Sequence, residues 1–156
     1  MTPALAALPI LMAEDDDGDR FLTRKAMEKS RVVNPLVTVE NGEELLDYLY
    51  RRGKFSSSSS APTPCFILLD LNMPRVDGRE ALKVIKSDEA LKKIPVIVLT
   101  TSNAEEDILS CYGMGANSYI TKPPTFEGLL KVVQSLKDYW LDVVEFPSEK
   151  GPLFHA

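Results

Sequence analysis

Five short apolar runs constrain this chain more than any other feature: LPILMA (8–13), LVTV (36–39), CFILLDL (65–71), PVIVLT (95–100) and SYIT (118–121). Each is too short for a core helix. CFILLDL and PVIVLT are almost unbroken in aliphatic residues. A strand with one wet face alternates apolar and polar side chains. A run without that alternation suits a strand covered on both faces, as in a parallel sheet. The intervening segments have helical spacing, and helices are expected over 17–30, 42–52, 77–93, 102–115 and 125–138. Asp77 with Glu80, and Ser102 with Glu105, stand at capping-box spacing. Thr125 is the expected N-cap of the last helix, in which Phe126, Leu129, Leu130, Val133 and Leu136 form one apolar stripe. Five βα units predict an α/β fold with an open, doubly wound parallel sheet of five strands and five helices.

The 156 residues suffice for one domain with a real core. The expected division is a domain over 1–138 and a C-terminal arm over 139–156. A net charge of −5 argues against a nucleic-acid partner, which calls for a basic face. No apolar stretch approaches the roughly 20 residues of a membrane span. The opening MTPALAALPILMA lacks the basic start of a signal peptide and runs straight into EDDD. A cytoplasmic protein is expected, with Cys65 and Cys111 as reduced core residues. GKFSSSSSAPTP (53–64) reads as a flexible loop.

In open parallel sheets, sites form at the carboxyl ends of the strands. Those ends carry Glu14, Asp15 and Asp16 after the first run, Asp70 after the third, Thr100 and Thr101 after the fourth, and Lys122 after the fifth. Carboxylates meeting in one pocket raise each other's pKa unless a cation is present. Oxygen donors without His or Cys favour a hard ion such as Mg²⁺. Lys122 and the Thr100 hydroxyl supply the other half of a phosphate site. Phosphoryl transfer needs mainly positioning and charge stabilisation, and Asp70 is the natural nucleophile for an acyl phosphate. Asp16, Asp17 and Asp19 fit better as cap and first-turn charges of the first helix. Rival sites fail on spacing. An EF-hand with Gly18 at its sixth position would begin at Ala13 and end at Arg24. No phosphate-binding loop of the G-x-x-x-x-G-K-[ST] type and no G-x-G-x-x-G is present. A flavin-phosphate cradle would not be acidic.

ILMAEDD, ILLDLNMPRVDG, IPVIVLTTS and GANSYITKP follow one another in that order, each ending an expected strand. Together they resemble the receiver domain of two-component response regulators, over roughly residues 8 to 138. The resemblance implies a flavodoxin-like sheet of order 2-1-3-4-5. It implies Asp70 as phosphoacceptor, with Lys122 and Thr100 as its catalytic partners. It implies a metal site of Asp15, Asp70, the Asn72 carbonyl and, partly through water, Glu14. Mg²⁺ is the expected cofactor (Mn²⁺ or Ca²⁺ can take its place in crystals). Thr100 and Tyr119 would form the switch, and the Lys122–Pro123 bond is a candidate cis peptide. The phosphoryl group would come from a sensor histidine kinase. The receiver would catalyse its own phosphorylation and dephosphorylation without being a turnover enzyme.

The long loop after the second helix, the LLDLNMPRVDGREAL run and the DYWLDVVEFP segment resemble, more narrowly, the small stand-alone regulators of phytochrome-type kinases. That narrower likeness implies a bacteriophytochrome or phytochrome partner and a homodimer. The dimer arm is expected to use Trp140, Val143, Val144, Phe146 and Pro147. No output domain follows, so direct control of transcription is not expected. Two alternatives stand beside this reading: a phosphorylation-independent adaptor, and a phosphorelay intermediate for another kinase. A phosphatase with a strand-borne Asp would want a second Asp where Asn72 stands.

Overall fold

The computed structural model describes residues 8–57 and 61–142. Its strands are β1 (Ile10–Ala13), β2 (Leu36–Val39), β3 (Phe66–Leu69), β4 (Val96–Thr100) and β5 (Ser118–Thr121). Its helices are α1 (Asp17–Lys29), α2 (Gly42–Tyr50), α3 (Gly78–Ser87), α4 (Glu105–Met114) and α5 (Phe126–Leu136). All strand pairs are parallel, in the order β2-β1-β3-β4-β5. The chain therefore reverses its direction of winding between β1 and β3, and this opens a crevice at the strand ends.

The unbroken apolar runs are buried on both faces, as their composition predicts. Leu11, Ala13, Ile67, Leu69, Val96 and Val98 point to the layer of α2, α3 and α4. Ile10, Met12, Phe66, Leu68 and Ile97 point to α1 and α5, where they meet Ala26, Met27, Val133 and Leu136. Cys65 and Cys111 are free and buried on opposite faces, and burial pushes the Cys65 thiol up to about 12.

Three helix boundaries depart from the sequence expectation, each for a local reason. The helix expected over 77–93 stops at Ser87, because the Asp88 carboxylate accepts from the amides of Ala90 and Leu91 and turns the chain. The helix expected from Ser102 begins at Glu105 behind Ala104, which offers no side-chain cap. The Ser102 hydroxyl instead donates to Asp107 at 2.6 Å. Past Leu136 the last helix widens into a π-type turn over Lys137–Leu141, burying Leu141 against the α1–α5 side of the sheet. Asp77 and Thr125 cap as expected, accepting from Glu80 and Gly128. The Lys122–Pro123 peptide is trans, not the cis form expected as a candidate.

The loop after α2 is less free than its composition implies. Gly53–Phe55 form a 3₁₀ turn, and the Phe55 ring meets Tyr48 edge-on with centroids 5.1 Å apart. Tyr48 Oη and Arg51 Nε then donate to the carbonyls of Pro62 and Ala61. At the other end of the chain, Trp140 is half-buried beside Phe66, their centroids 6.3 Å apart. Val143, Val144, Phe146 and Pro147 lie outside the described residues.

Lys86 secures the end of the sheet remote from the strands' carboxyl ends. Its ammonium donates to the carbonyls of Lys92 and Ile94 and to Asn117 Oδ1. Asn117 Oδ1 also accepts from the Val96 amide at 2.9 Å, which ties the starts of β4 and β5 together. Lys86→Met is expected to leave the part-buried Ile94 carbonyl short of a donor and to lower unfolding free energy by about 1 kcal/mol. The check is a lower urea midpoint at unchanged slope.

Candidate functional site

The carboxyl ends of β1, β3, β4 and β5 bring Glu14, Asp70, Thr100 and Lys122 into one pocket. Glu14 is 1% exposed, Asp70 6% and Thr100 0%. Burying polar groups this deeply is costly unless they are paired, and every one of them is. Thr100 Oγ1 donates to Asp70 Oδ1 at 2.8 Å, and the Asn72 amide approaches the same oxygen at 3.3 Å. Lys122 Nζ donates to Asp70 Oδ2 at 3.3 Å and is in contact with Glu14 Oε1. The Asp16 amide donates to Glu14 Oε2 at 3.2 Å.

A glycine makes the Asp70 loop possible. A Cβ on Gly78 would lie 2.1 Å from the Asp70 carbonyl oxygen and 2.6 Å from Leu71 Cα. The start of α3 therefore packs directly beneath Asp70, with the Gly78 amide donating to the Leu71 carbonyl at 2.9 Å. Only a residue without Cβ fits there.

Asp15 is exposed at the rim. One carboxylate oxygen each from Glu14, Asp15 and Asp70 lie within 4.8 Å of one another. Burial, reinforced by the Asp70 charge, pushes the Glu14 carboxyl up to about 7, although Lys122 pulls it down. One ammonium cannot neutralise all the carboxylates gathered around it. A hard divalent cation fits this donor set by charge and by ligand type. Burial also works against the Lys122 charge, but Asp19 and Glu14 outweigh it and hold that ammonium above its ordinary value.

The acids of EDDDGD divide between the pocket and the first helix, and Asp19 touches both. Asp16 is the N-cap of α1, and Asp17 lies exposed in its first turn. Asp19 is in that turn as well, but its Oδ2 accepts from Lys122 Nζ at 2.9 Å. It belongs to the pocket. The available signal was spacing: three residues past the cap, one helical turn returns a side chain to the same end. Arg20 was also missed. It donates to the Glu14 carbonyl at 2.7 Å and pairs with Asp17 and, at 3.3 Å, with Glu40. Thr101 is exposed beyond the strand.

Tyr119 sits outside the pocket but one link from it. Its ring packs against the α2–α4 side of the core, and Oη donates to the Ser102 carbonyl at 2.8 Å. Ser102 bonds to Asp107, which Arg79 grips with two 2.9 Å hydrogen bonds. A continuous set of contacts thus leads from Asp70 through Thr100 and the loop behind it to Tyr119 and α4.

Residues 10–134 match the response regulator receiver domain. Response regulator Rcp1 of Synechocystis sp. is 38% identical over 139 residues, covering 89% of this chain and 92% of the relative. The phosphorylated cyanobacterial phytochrome response regulator RcpA superposes with a TM-score of 0.83 at 41% identity, over 91% of this chain and 99% of that one. The Mn²⁺-bound form of Rcp1 gives 0.82 at 37% identity, over 90% and 99%.

Glu14 carries a pH prediction. An acid whose pKa is higher folded than unfolded binds more protons in the native state between those values. Unfolding free energy therefore falls as pH rises through that window. For Glu14 the window runs from 4.5 to about 7. In EDTA, Glu14→Gln is expected to remove this component of the slope. Urea titrations of both proteins across that range measure it, and saturating Mg²⁺ is expected to reduce the wild-type slope.

Proposed function

The chain belongs to the response regulator receiver domain family, and from that premise we propose that it is a response regulator phosphorylated on Asp70. The observation that carries this reading is the setting of Asp70. Its carboxylate is buried between the Thr100 hydroxyl and the Lys122 ammonium, with Glu14 and Asp15 close enough to share one cation with it.

Glu14, Asp15, Asp70 and the Asn72 carbonyl would hold Mg²⁺, which when bound supplies positive charge beside the transferred phosphoryl oxygens. Asp70 attacks the phosphorus of a kinase phosphohistidine. The P–N bond breaks as the P–O bond of the acyl phosphate forms, and imidazole departs. Lys122 takes up charge on the phosphoryl oxygens, and the Thr100 hydroxyl turns from the Asp70 carboxylate to donate to them. Water later attacks phosphorus and releases phosphate, which resets the domain. The displacement of Thr100 draws on the Ser102 loop. Tyr119 is tied to that loop, so its position and that of α4 follow the phosphorylation state.

The partner is a sensor histidine kinase. The likeness to Rcp1 and RcpA favours a phytochrome-type kinase and a light-sensing pathway. No helix among the described residues is long and apolar enough to cross a membrane, and a cytoplasmic setting with no nucleic-acid role fits the acidic composition. The arm from Trp140 to Pro147, with Val143, Val144 and Phe146, would pair two copies.

Incubation with acetyl phosphate and Mg²⁺ is expected to give an acid-stable, hydroxylamine-labile label on wild type. Without Mg²⁺, or in Asp70→Asn, the label should be absent. Label surviving in Asp70→Asn would sink the phosphoacceptor assignment. A chain ending at Tyr139 is expected to sediment as monomer where the full chain sediments as dimer. Equal masses would remove the role given to the arm.

A further inference from the structure

Lys122 is surrounded by three carboxylates, and they are not equivalent. Glu14 and Asp70 belong to the group whose oxygens converge on one cation position, and Asp19 does not. A cation that draws on Glu14 and Asp70 competes with Lys122 for those two partners. Asp19 Oδ2, at 2.9 Å from Nζ, is the partner left to it. The structure leaves room beside Lys122 for the ammonium to turn elsewhere. A cleft of about 130 Å³, lined by Asp19, Leu22, Thr23, Lys122, Pro123 and Phe126 among others, opens between α1 and the Lys122–Thr125 loop. A lysine side chain has four rotatable bonds and loses much entropy when fixed.

Asp19 also carries a cost that asks for a reason. It adds a negative charge to a pocket that must admit an anionic phosphoryl donor. An N-terminal helix charge is already supplied by Asp17, and the cap by Asp16. Neither of those roles requires a carboxylate aimed at Lys122.

We propose that Asp19 is a positioning residue for phosphoryl transfer, anchoring the Lys122 ammonium from the α1 side when the cation engages Glu14 and Asp70. This rests on Asp70 being the phosphoacceptor. With Asp19 in place, Lys122 meets the incoming phosphoryl oxygens without first being ordered. Without it, the side chain can turn into the cleft, and displacements of about 1 Å at such a group can cost up to a hundredfold in rate.

The test is a double-mutant cycle on the rate of phosphorylation by acetyl phosphate at saturating Mg²⁺, with Mn²⁺ affinity measured by calorimetry. Asp19→Ala is expected to slow labelling about tenfold, and Mn²⁺ affinity is expected to stay within about twofold, because Asp19 lies outside the cation group. Asp19→Asn keeps the shape and is expected to fall between wild type and Ala. Asp19→Glu should restore most of the rate. In a Lys122→Ala background, Asp19→Ala should slow labelling no further, because the residue acts through Lys122. An unchanged or faster rate in both Asp19→Ala and Asp19→Asn overturns the proposal. So does an equal slowing with and without Lys122, which marks a structural effect. Failure of wild type itself to label takes down the assignment of Asp70 along with it. Normal wild-type labelling with unaffected Asp19 variants removes this inference alone.

Discussion

One ammonium shared among three carboxylates holds the carboxyl-end pocket of this molecule together. Lys122 follows β5, Glu14 follows β1, Asp70 follows β3, and Asp19 comes from the first turn of α1. The contacts cross from one end of the sheet's strand order towards the other. Three acids and one base leave the pocket short of positive charge, and the Asp70 charge adds to the burial that raises the Glu14 pKa. A dication would supply the missing charge and let an anionic phosphoryl group approach Asp70.

The same pocket is wired outward by a hydroxyl. Thr100 is fully buried at the end of β4, and its one donated hydrogen bond goes to Asp70. Behind it the Ser102 loop is held twice, by Tyr119 through its carbonyl and by Asp107 through its hydroxyl. Arg79 extends this hold to the start of α3, directly after the glycine that packs beneath Asp70. The Asp70 carboxylate, the loop and the α4 face are therefore coupled through short, directional contacts rather than through diffuse packing.

Much of this was legible from residue order. Asp70, Thr100 and Lys122 each end an apolar run, and parallel strands carry their last residues to a common edge. Tyr119 drew meaning from standing three residues before Lys122, and the structure puts it against the loop that Thr100 leads into. Asp19 is the first-turn acid its position predicts, and its added contact with Lys122 was not legible because the helix dipole already explains such a residue. Ser102 was misjudged for a similar reason. Its capping-box spacing is genuine, but Asp107 and Tyr119 compete for its polar atoms and the helix starts later. Asp88 broke a helix that its flanking pattern would have continued, because its carboxylate serves two amides just downstream.

By itself the sequence determined the alternation of strand and helix, the burial of strands on both faces and the identity of the residues at their ends. Those properties depend on apolar periodicity and capping, which act over a few neighbours. Tertiary structure alone decided that Asp19 rather than Asp16 or Asp17 reaches Lys122, that Thr100 donates to one oxygen of Asp70 while Lys122 approaches the other, and that Gly78 must lack a side chain. The Lys122 and Thr100 contacts join residues far apart in the chain, and the Gly78 contact joins a helix start to the loop before it. They are set by the sheet order and the docking of α1 and α3 against it, and local pattern carries no record of either.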